Sequence, residues 1–104
     1  MGIKDAFQKK LESQLDSWEH EIKEMEARAK RQEAEAQAEK ADAEMQKETY
    51  EKIDHLKKQA EDARKKLEEL KHSSEGALND LKAGLEMTWE QLGEALDSAR
   101  SRFK

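Results

Sequence analysis

The sequence contains no cysteine and no proline, and aromatic residues make up only 5% of it. The absence of cysteine excludes disulfide bonds, thiolate metal sites and a cysteine nucleophile, and it fits a reducing compartment. Charged residues make up 43% of the 104 residues, and apolar residues make up 35%. This combination is typical of long helices and coiled coils. The length suffices for one small domain, which we expect to cover residues 1–104.

The chain also lacks long apolar runs and blocks of like charge. No run approaches the roughly 20 apolar residues of a membrane span, and the first residues lack the apolar core of a signal peptide. The net charge is −5, and acidic and basic residues are interleaved, whereas nucleic-acid binding requires a concentrated basic face. We therefore expect a cytoplasmic protein that does not bind nucleic acid.

Large apolar side chains recur at steps of three and four residues in three zones, which cover residues 3–29, 45–70 and 78–103. This spacing places the side chains of each zone on one face of a helix. From residue 53 to residue 70 the steps alternate as in the a and d positions of a coiled coil. The sequence therefore predicts an all-α fold. The predicted core residues are Leu11, Leu15, Trp18, Ile22, Ile53, Leu56, Leu67, Leu70, Leu81, Leu85, Trp89, Leu92 and Leu96.

Turn-forming residues are concentrated in the segment HSSEG at residues 72–76. Lys71 and His72 suit the last turn of a helix, and Ser73 or Ser74 suits the N-cap of the next helix. Between residues 3 and 71 no residue pattern stops a helix. We therefore predict a long helix over about residues 3–71, a break at residues 72–76, and a shorter helix over about residues 75–103 that folds back.

Residues 27–43, ARAKRQEAEAQAEKADA, contain seven alanines and no large apolar residue. They lie near the midpoint of the predicted long helix, so an antiparallel pair of chains would bring them together at its two-fold axis, where small side chains allow close approach. This pattern favours an antiparallel coiled-coil homodimer. The alternative is a monomeric three-helix bundle with a bend near residues 34–43, which the lack of turn residues disfavours. The predicted dimer seam contains Ala29, Ala34, Ala36 and Ala41.

Two stretches of the sequence resemble a known group of proteins. They are LESQLDSWEHEIKEMEARA at residues 11–29 and LEELKHSSEGALNDLKAGLEMTWEQLGEALDSARSRF at residues 67–103. The features that carry the resemblance are the L-x-x-W step ending at Trp18, the S-S-E-G break, and the pattern D-L-K-A-G-L-E-x-x-W-x-x-L around Trp89. The chain resembles small bacterial all-helical coiled-coil stress-response proteins, some of them loosely described as apolipoprotein-like. The resemblance implies a non-enzymatic role under stress, and it supplies no catalytic or binding residues.

Residues with catalytic or metal-binding potential form no recognisable site in the sequence. Glu69 and His72 match the E-x-x-H step of di-iron bundles, but such a site also requires a second copy of the step and further inward-facing carboxylates. The serines lack the Gly-rich elbow of a nucleophile. Trp18 and Trp89 fall in register with the leucine stripes, which indicates core positions. We predict no enzyme activity, no metal site and no cofactor.

The periodicity and the resemblance together predict a non-enzymatic, self-associating helical protein. Its role would be stress-protective or that of a scaffold, and it would act through helix–helix contacts with a second copy or with a partner helix. The alternative is a peripheral membrane or lipid-binding protein, because MGIKDAFQKKL places Ile3, Phe7 and Leu11 on one side of a helix and lysines elsewhere. The acidic net charge opposes binding to anionic lipid.

Overall fold

The described residues of the chain form three α-helices. A computed structural model describes residues 2–39 and 43–102, and it describes side chains for residues 2–32 and 47–101. Helix α1 covers Ile3–Glu39, α2 covers Ala43–Lys71 and α3 covers Leu78–Arg102, with one turn of 3₁₀-helix at Glu75–Ala77 before α3. The described residues contain no strand. The predicted all-α class is confirmed.

The prediction of one helix over residues 3–71 is wrong for this structure. Helices α1 and α2 lie side by side and antiparallel, so the chain reverses direction between Glu39 and Ala43. The molecule measures 57 × 20 × 19 Å, whereas a continuous helix of that span would be roughly 100 Å long. The reversal falls inside the window of residues 34–43 that the three-helix alternative requires.

Packing explains why the chain reverses at a place without turn residues. Helix propensity is a weak prior, and most helical stability in proteins comes from burying an apolar face. Folding back places the apolar stripe of α1 against that of α2 within one chain, where Leu15, Ala63 and Leu67 are completely buried. This burial within one chain accompanies the reversal of direction.

Backbone and side-chain hydrogen bonds build the connection between α2 and α3. The Ser73 N–H donates to Leu70 O over 3.1 Å, and the Ser73 hydroxyl donates to Glu69 O over 2.7 Å. Ser74 occupies the N-cap position with extended backbone, although its side chain makes no capping bond. From α1, the Lys4 ammonium donates to Lys71 O over 3.4 Å and also to Ser73 O. A cation therefore satisfies carbonyls at the C-terminus of α2, where the helix dipole favours positive charge.

The core between the three helices is entirely apolar. Among residues with described side chains, no polar or charged residue is buried. The residues predicted for the core are buried, except that Trp18 and Leu81 are half-buried and pack against the core from its rim. The core also includes residues outside the predicted list, which are Met25, Ala60, Ala63, Leu78 and Ala99. Ile3, which continues the stripe of α1 in the sequence, is 79% exposed.

The four alanines predicted for the dimer seam have different outcomes. Ala29 is 4% exposed and is buried within the chain itself. Ala34 and Ala36 belong to α1, and their side chains are outside the described part of the structure, as is the whole of Ala41. Their role in a dimer seam stays a prediction.

The two glycines inside α3 occupy different surroundings. A Cβ atom placed on Gly93 would lie 3.4 Å from Cζ2 and 3.6 Å from Cη2 of Trp18, whereas a Cβ atom on Gly84 would meet nothing within 4 Å. The Trp18 ring therefore lies against α3 beside Gly93, where a Cβ atom would make ordinary van der Waals contact and a larger side chain would meet the ring. Gly84 has no such packing role.

Leucine substitutions at the two glycines should have opposite effects on stability. We expect Gly93→Leu to lower the free energy of unfolding by about 1–3 kcal/mol, because atoms beyond Cβ would displace the Trp18 ring. Gly84→Leu is the matched control and should raise the free energy of unfolding by about 0.5–1 kcal/mol, because leucine is the better helix former and the site is open. Urea titration followed by circular dichroism measures both. Equal effects at the two positions would contradict the assigned contact.

Candidate interaction surface

Three ion pairs join α1 to α2 at intervals of seven residues. Each places a glutamate of α1 against a lysine or arginine of α2: the Lys71 and Glu12 side chains lie 3.5 Å apart, and the Arg64 Nε donates to Glu19 over 3.1 Å. Both sets of residues recur once per heptad, so all three pairs flank the same side of the apolar seam. We call this set the heptad ladder. Its pairs are Glu12 with Lys71, Glu19 with Arg64, and Glu26 with Lys57.

The heptad ladder fixes the direction and register of the α1–α2 pair. All three of its pairs are centred on the same point of the chain, between residues 41 and 42. A shift of either helix by one turn would separate every pair. Flanking charges of this kind set partner choice and orientation in coiled coils, whereas the apolar seam supplies most of the stability.

Hydrogen bonds within the ladder favour the charged forms of Glu26 and Arg64. The pKa of Glu26 is lowered, chiefly by the hydrogen bond from Lys57 and further by Lys30, against a smaller opposing effect of burial. The pKa of Arg64 is raised, chiefly by the hydrogen bond to Asp16 and further by the bond to Glu19. The Arg64 guanidinium lies 2.7 Å from the Asp16 carboxylate. Arg64 therefore joins two carboxylates of α1, whereas the second partners of Glu26 and Lys71 lie on their own helices.

We did not predict the ladder from the sequence, because pairs of an acidic and a basic residue four positions apart are also abundant. Some of those local pairs form in the structure, for example Lys58 with Asp54 and Lys30 with Glu26. The signal that separates the ladder from them is the spacing of seven. One set contains Glu12, Glu19 and Glu26, and the other contains Lys57, Arg64 and Lys71.

Helix α3 runs parallel to α1 and antiparallel to α2, and two contacts fix its position. The Trp89 indole N–H donates to Leu11 O over 3.1 Å in a buried hydrogen bond. Arg100 binds both carboxylate oxygens of Glu21, over 2.8 and 2.7 Å. The common offset of these contacts, 78 and 79 residues, places the end of α3 beside about residue 24 of α1. Beyond that level α1 and α2 continue as a two-helix hairpin.

An open groove of about 500 Å³ lies between α2 and α3 close to the end of α3. Its walls include apolar atoms of Leu56, Ala95 and Ala99, and its remaining lining residues are polar or charged. Those residues are Glu48, Glu51, Lys52, His55 and Ser98. This composition suits contact with another helix better than enclosure of a small molecule, because the groove is open.

The histidines do not assemble a reactive centre in the described part of the chain. His20 lies 3.1 Å from Glu24, and both side chains are exposed. His72 pairs with Glu68 at 3.9 Å, not with the Glu69 of the E-x-x-H step. The described residues contain no cluster of three or more histidine or carboxylate groups that could hold a metal ion. The charges of the heptad ladder are titratable groups that this structure does bring together, between α1 and α2.

Comparison of the chain with protein families, with curated proteins and with solved structures finds no match. Within residues 2–39 and 43–102, none of the helices has an apolar stretch that could cross a membrane. The resemblance to bacterial coiled-coil stress-response proteins stays a prediction. The fold defines the chain as an antiparallel three-helix protein whose helices recognise one another through an apolar seam and a charged ladder.

The effect of the Glu26 pair on stability should depend on pH. The folded-state pKa of Glu26 is lowered, so its ionised form stabilises the fold at neutral pH, and this contribution disappears as the pH falls through that lowered pKa. We expect Glu26→Gln to cost about 0.5–1 kcal/mol at pH 7 and almost nothing near pH 2. Urea titrations of both proteins at several pH values measure the difference.

Asp54→Asn is the matched control for Glu26→Gln, because Asp54 pairs with Lys58 on the same helix. Its cost at pH 7 should be smaller, about 0.3 kcal/mol. A cost of Glu26→Gln that does not change with pH would show that the carboxylate charge is not what stabilises the pair.

Removal of the buried indole hydrogen bond should weaken the docking of α3. We expect Trp89→Phe to lower the free energy of unfolding by about 1–2 kcal/mol, because it removes the bond to Leu11 O and part of a buried ring. Trp18→Phe is the control and should cost less, because Trp18 is half-buried. Each variant keeps one tryptophan, so fluorescence and circular dichroism can follow unfolding in both. An equal cost would contradict the assigned role of the Trp89 bond.

Proposed function

We propose that this chain is a non-enzymatic, self-associating helical protein that has a protective or scaffold role through helix–helix contacts. The heptad ladder is the observation that carries the proposal. One copy of the chain contains both halves of a complementary recognition pattern, an acidic row on α1 and a basic row on α2. A second copy therefore presents the same two rows, and each row fits its complement in either chain.

The arrangement of the third helix also supports a role in helix association. Helix α3 ends beside about residue 24 of α1, so the far end of the α1–α2 hairpin has two helices where the rest of the molecule has three. The groove beside Ala95 and Ala99 lies next to this end. Another helix can extend the bundle there without disturbing the core.

A stress-protective role in the cytoplasm is the biological part of this proposal. It is supported by the sequence resemblance to bacterial stress-response proteins and by the absence of cysteine. A high density of exposed charge around a small apolar core suits a protein that stays dispersed while other proteins aggregate.

Light scattering of the purified chain over a wide concentration range tests the self-association. We expect the mass to rise from one chain towards two as the concentration increases, and we expect Arg64→Glu to weaken the association because it opposes Asp16 and Glu19. Lys58→Glu is the matched control, since Lys58 pairs within its own helix. A constant mass of one chain up to millimolar concentration would contradict self-association.

A protective role makes a separate prediction about other proteins. At equimolar ratio the chain should slow the heat-induced aggregation of a labile enzyme, measured by turbidity, and the charge-reversed Arg64→Glu chain should be less effective. An inert protein of the same net charge is the control. Equal turbidity with the chain and with this control would contradict a protective role.

Lipid binding is the second candidate function, and one feature at the start of α1 favours it. Ile3 is 79% exposed, and the half-buried Phe7 lies beneath the Lys82 ammonium, which is 5.8 Å from its ring centre. Apolar residues beside lysines are the pattern by which a helix lies in a bilayer interface. Flotation with neutral and with anionic liposomes tests this candidate. Binding that is lost on Ile3→Ser would support it, and absence of binding at low salt would reject it.

A further inference from the structure

We infer that the start of α1 is a strap that closes one end of the bundle, and that release of this strap regulates binding of the chain to a bilayer surface. The strap comprises residues 2–10. The inference rests on the second candidate function proposed above, lipid binding, and it names the contacts that regulate that site. In the closed state these contacts occupy the groups that a bilayer would bind.

The strap extends past the last residue of α2. Helices α1 and α2 are antiparallel, and Glu12 of α1 pairs across the seam with Lys71, which is the last residue of α2. The first two turns of α1 therefore lie beside the α2–α3 connection and the start of α3. Within the strap, Phe7 packs against the core and is only partly buried. Segments with few buried contacts open locally more readily than the centre of a domain.

The Lys4 ammonium holds the strap to the end of α2. It donates to Lys71 O over 3.4 Å and also to Ser73 O. Both carbonyls lie at the C-terminus of α2, where backbone oxygens lack partners within the helix and the helix dipole favours a cation. While these bonds persist, the Lys4 ammonium cannot bind the phosphate groups of lipids.

The Glu75 carboxylate lies against the other end of the strap. A Cβ atom placed on Gly2 would overlap Oε1 and Cδ of Glu75, so the carboxylate occupies the space that a side chain would take. The Ala6 N–H donates to Gly2 O over 3.4 Å, which makes Gly2 part of the first turn of α1. The dipole favours an anion at this end of a helix. Lys4 and Glu75 therefore join the strap and the connection through opposite charges at opposite helix ends.

Lys82 of α3 covers the aromatic ring of the strap. Its ammonium lies 5.8 Å from the centre of the Phe7 ring, which is within the range of a cation–π interaction. The ring also packs against the core from its rim, whereas Ile3 is 79% exposed. In the closed state a bilayer can therefore reach Ile3, and it cannot reach the whole of the Phe7 ring.

Release of the strap assembles a surface that the closed state keeps apart. Ile3 and Phe7 are four residues apart and lie on the same side of a helix. Lys4, Lys9 and Lys10 supply ammonium groups on its other sides. A free helix with this pattern lies in a bilayer interface, where its apolar side chains enter the acyl region and its lysines extend to the phosphates. The bilayer therefore competes with the connection and α3 for the same residues.

The fraction of chains with a released strap sets the apparent affinity for the bilayer. When only a fraction of a protein is competent to bind, its apparent dissociation constant is raised by the inverse of that fraction. A change that multiplies the released fraction should therefore multiply the affinity for lipid by the same factor. Opening of the strap and binding to lipid are measured separately, so their proportionality tests the regulation.

Two substitutions outside the strap should loosen it without changing the residues that bind lipid. The loosened chain carries Glu75→Ala and Lys82→Gln, which remove one charge of each sign and leave the net charge unchanged. We expect amide hydrogen exchange in residues 6–10 to become about fivefold faster, because two contacts of the closed strap are lost. The affinity for phosphatidylcholine vesicles that contain phosphatidylglycerol should rise by the same factor in a flotation assay.

Glu90→Ala with Lys65→Gln is the matched control for the loosened chain. It makes the same two changes of residue type at exposed positions outside the strap and its contacts, and it keeps the same net charge. Neither the exchange of residues 6–10 nor the affinity for vesicles should change. This control separates loosening of the strap from a general effect of removing two charges.

A reversible lock tests the regulation within a single polypeptide. The chain has no cysteine of its own, and the contact between Gly2 and the Glu75 side chain brings positions 2 and 75 within reach of a disulfide. The chain with Gly2→Cys and Glu75→Cys should bind vesicles less than the unchanged chain when it is oxidised. Reduction should raise its binding above that of the unchanged chain, because the Glu75 carboxylate is absent. Circular dichroism should show the same helix content in both forms, and the reductant should not affect the unchanged chain.

The outcomes separate the regulation from lipid binding itself. Faster exchange in the loosened chain, a proportional gain in vesicle binding and weak binding of the oxidised lock would establish the inference. Vesicle binding that is equal in the oxidised and reduced lock would overturn the regulation and leave lipid binding standing. Absence of vesicle binding by both the loosened chain and the reduced lock would overturn both. Unchanged exchange in the loosened chain, or failure of the two cysteines to form a disulfide, would contradict the closed strap and overturn the inference.

Discussion

The antiparallel pairing of α1 with α2 is the interaction on which the rest of the structure depends. The apolar seam supplies the burial, and the heptad ladder selects one register out of the several that stripes of leucine, isoleucine and alanine would accept. Once this register is set, Leu11 and Glu21 of α1 lie where Trp89 and Arg100 of α3 can reach them. Helix α3 therefore packs on a surface that α1 and α2 form together.

The difference in helix length explains the distribution of large side chains along the chain. Helix α1 has 37 residues and α3 has 25, so α3 can cover only part of the hairpin. Where three helices meet, leucines and tryptophan are buried. Where only two continue, α1 from residue 27 onward consists of alanine, glutamine and charged residues, whereas α2 there includes Met45 and Tyr50. The end of the hairpin is left uncovered by α3, and this supports the association proposed above.

The parts of the structure that follow from local signals were predictable. The steps of three and four residues placed each stripe on one face of a helix. The leucines of the stripes are buried because this face packs against the core. The serines and Gly76 predicted the α2–α3 connection, because the residues that favour a turn lie within the turn itself. The ladder was equally present in the sequence as a spacing of seven, but local pairs at a spacing of four concealed it. Trp18 differs from most of the other stripe residues because it is half-buried at the rim of the core, beside Gly93.

By itself the sequence determined that the chain is all-α, where its apolar faces lie and where α2 ends, because these properties depend on neighbours within a few turns. Only the tertiary structure decided that α1 and α2 pair within one chain and that their pairing is centred between residues 41 and 42. The alanine-rich segment at residues 27–43 had placed that centre near the midpoint of the predicted long helix. Composition marks where large side chains are absent, whereas the centre of pairing is set by contacts between residues as far apart as Glu12 and Lys71. The α1–α2 seam can form either within one chain or between two chains. Local sequence signals therefore do not determine whether the chain reverses direction after α1.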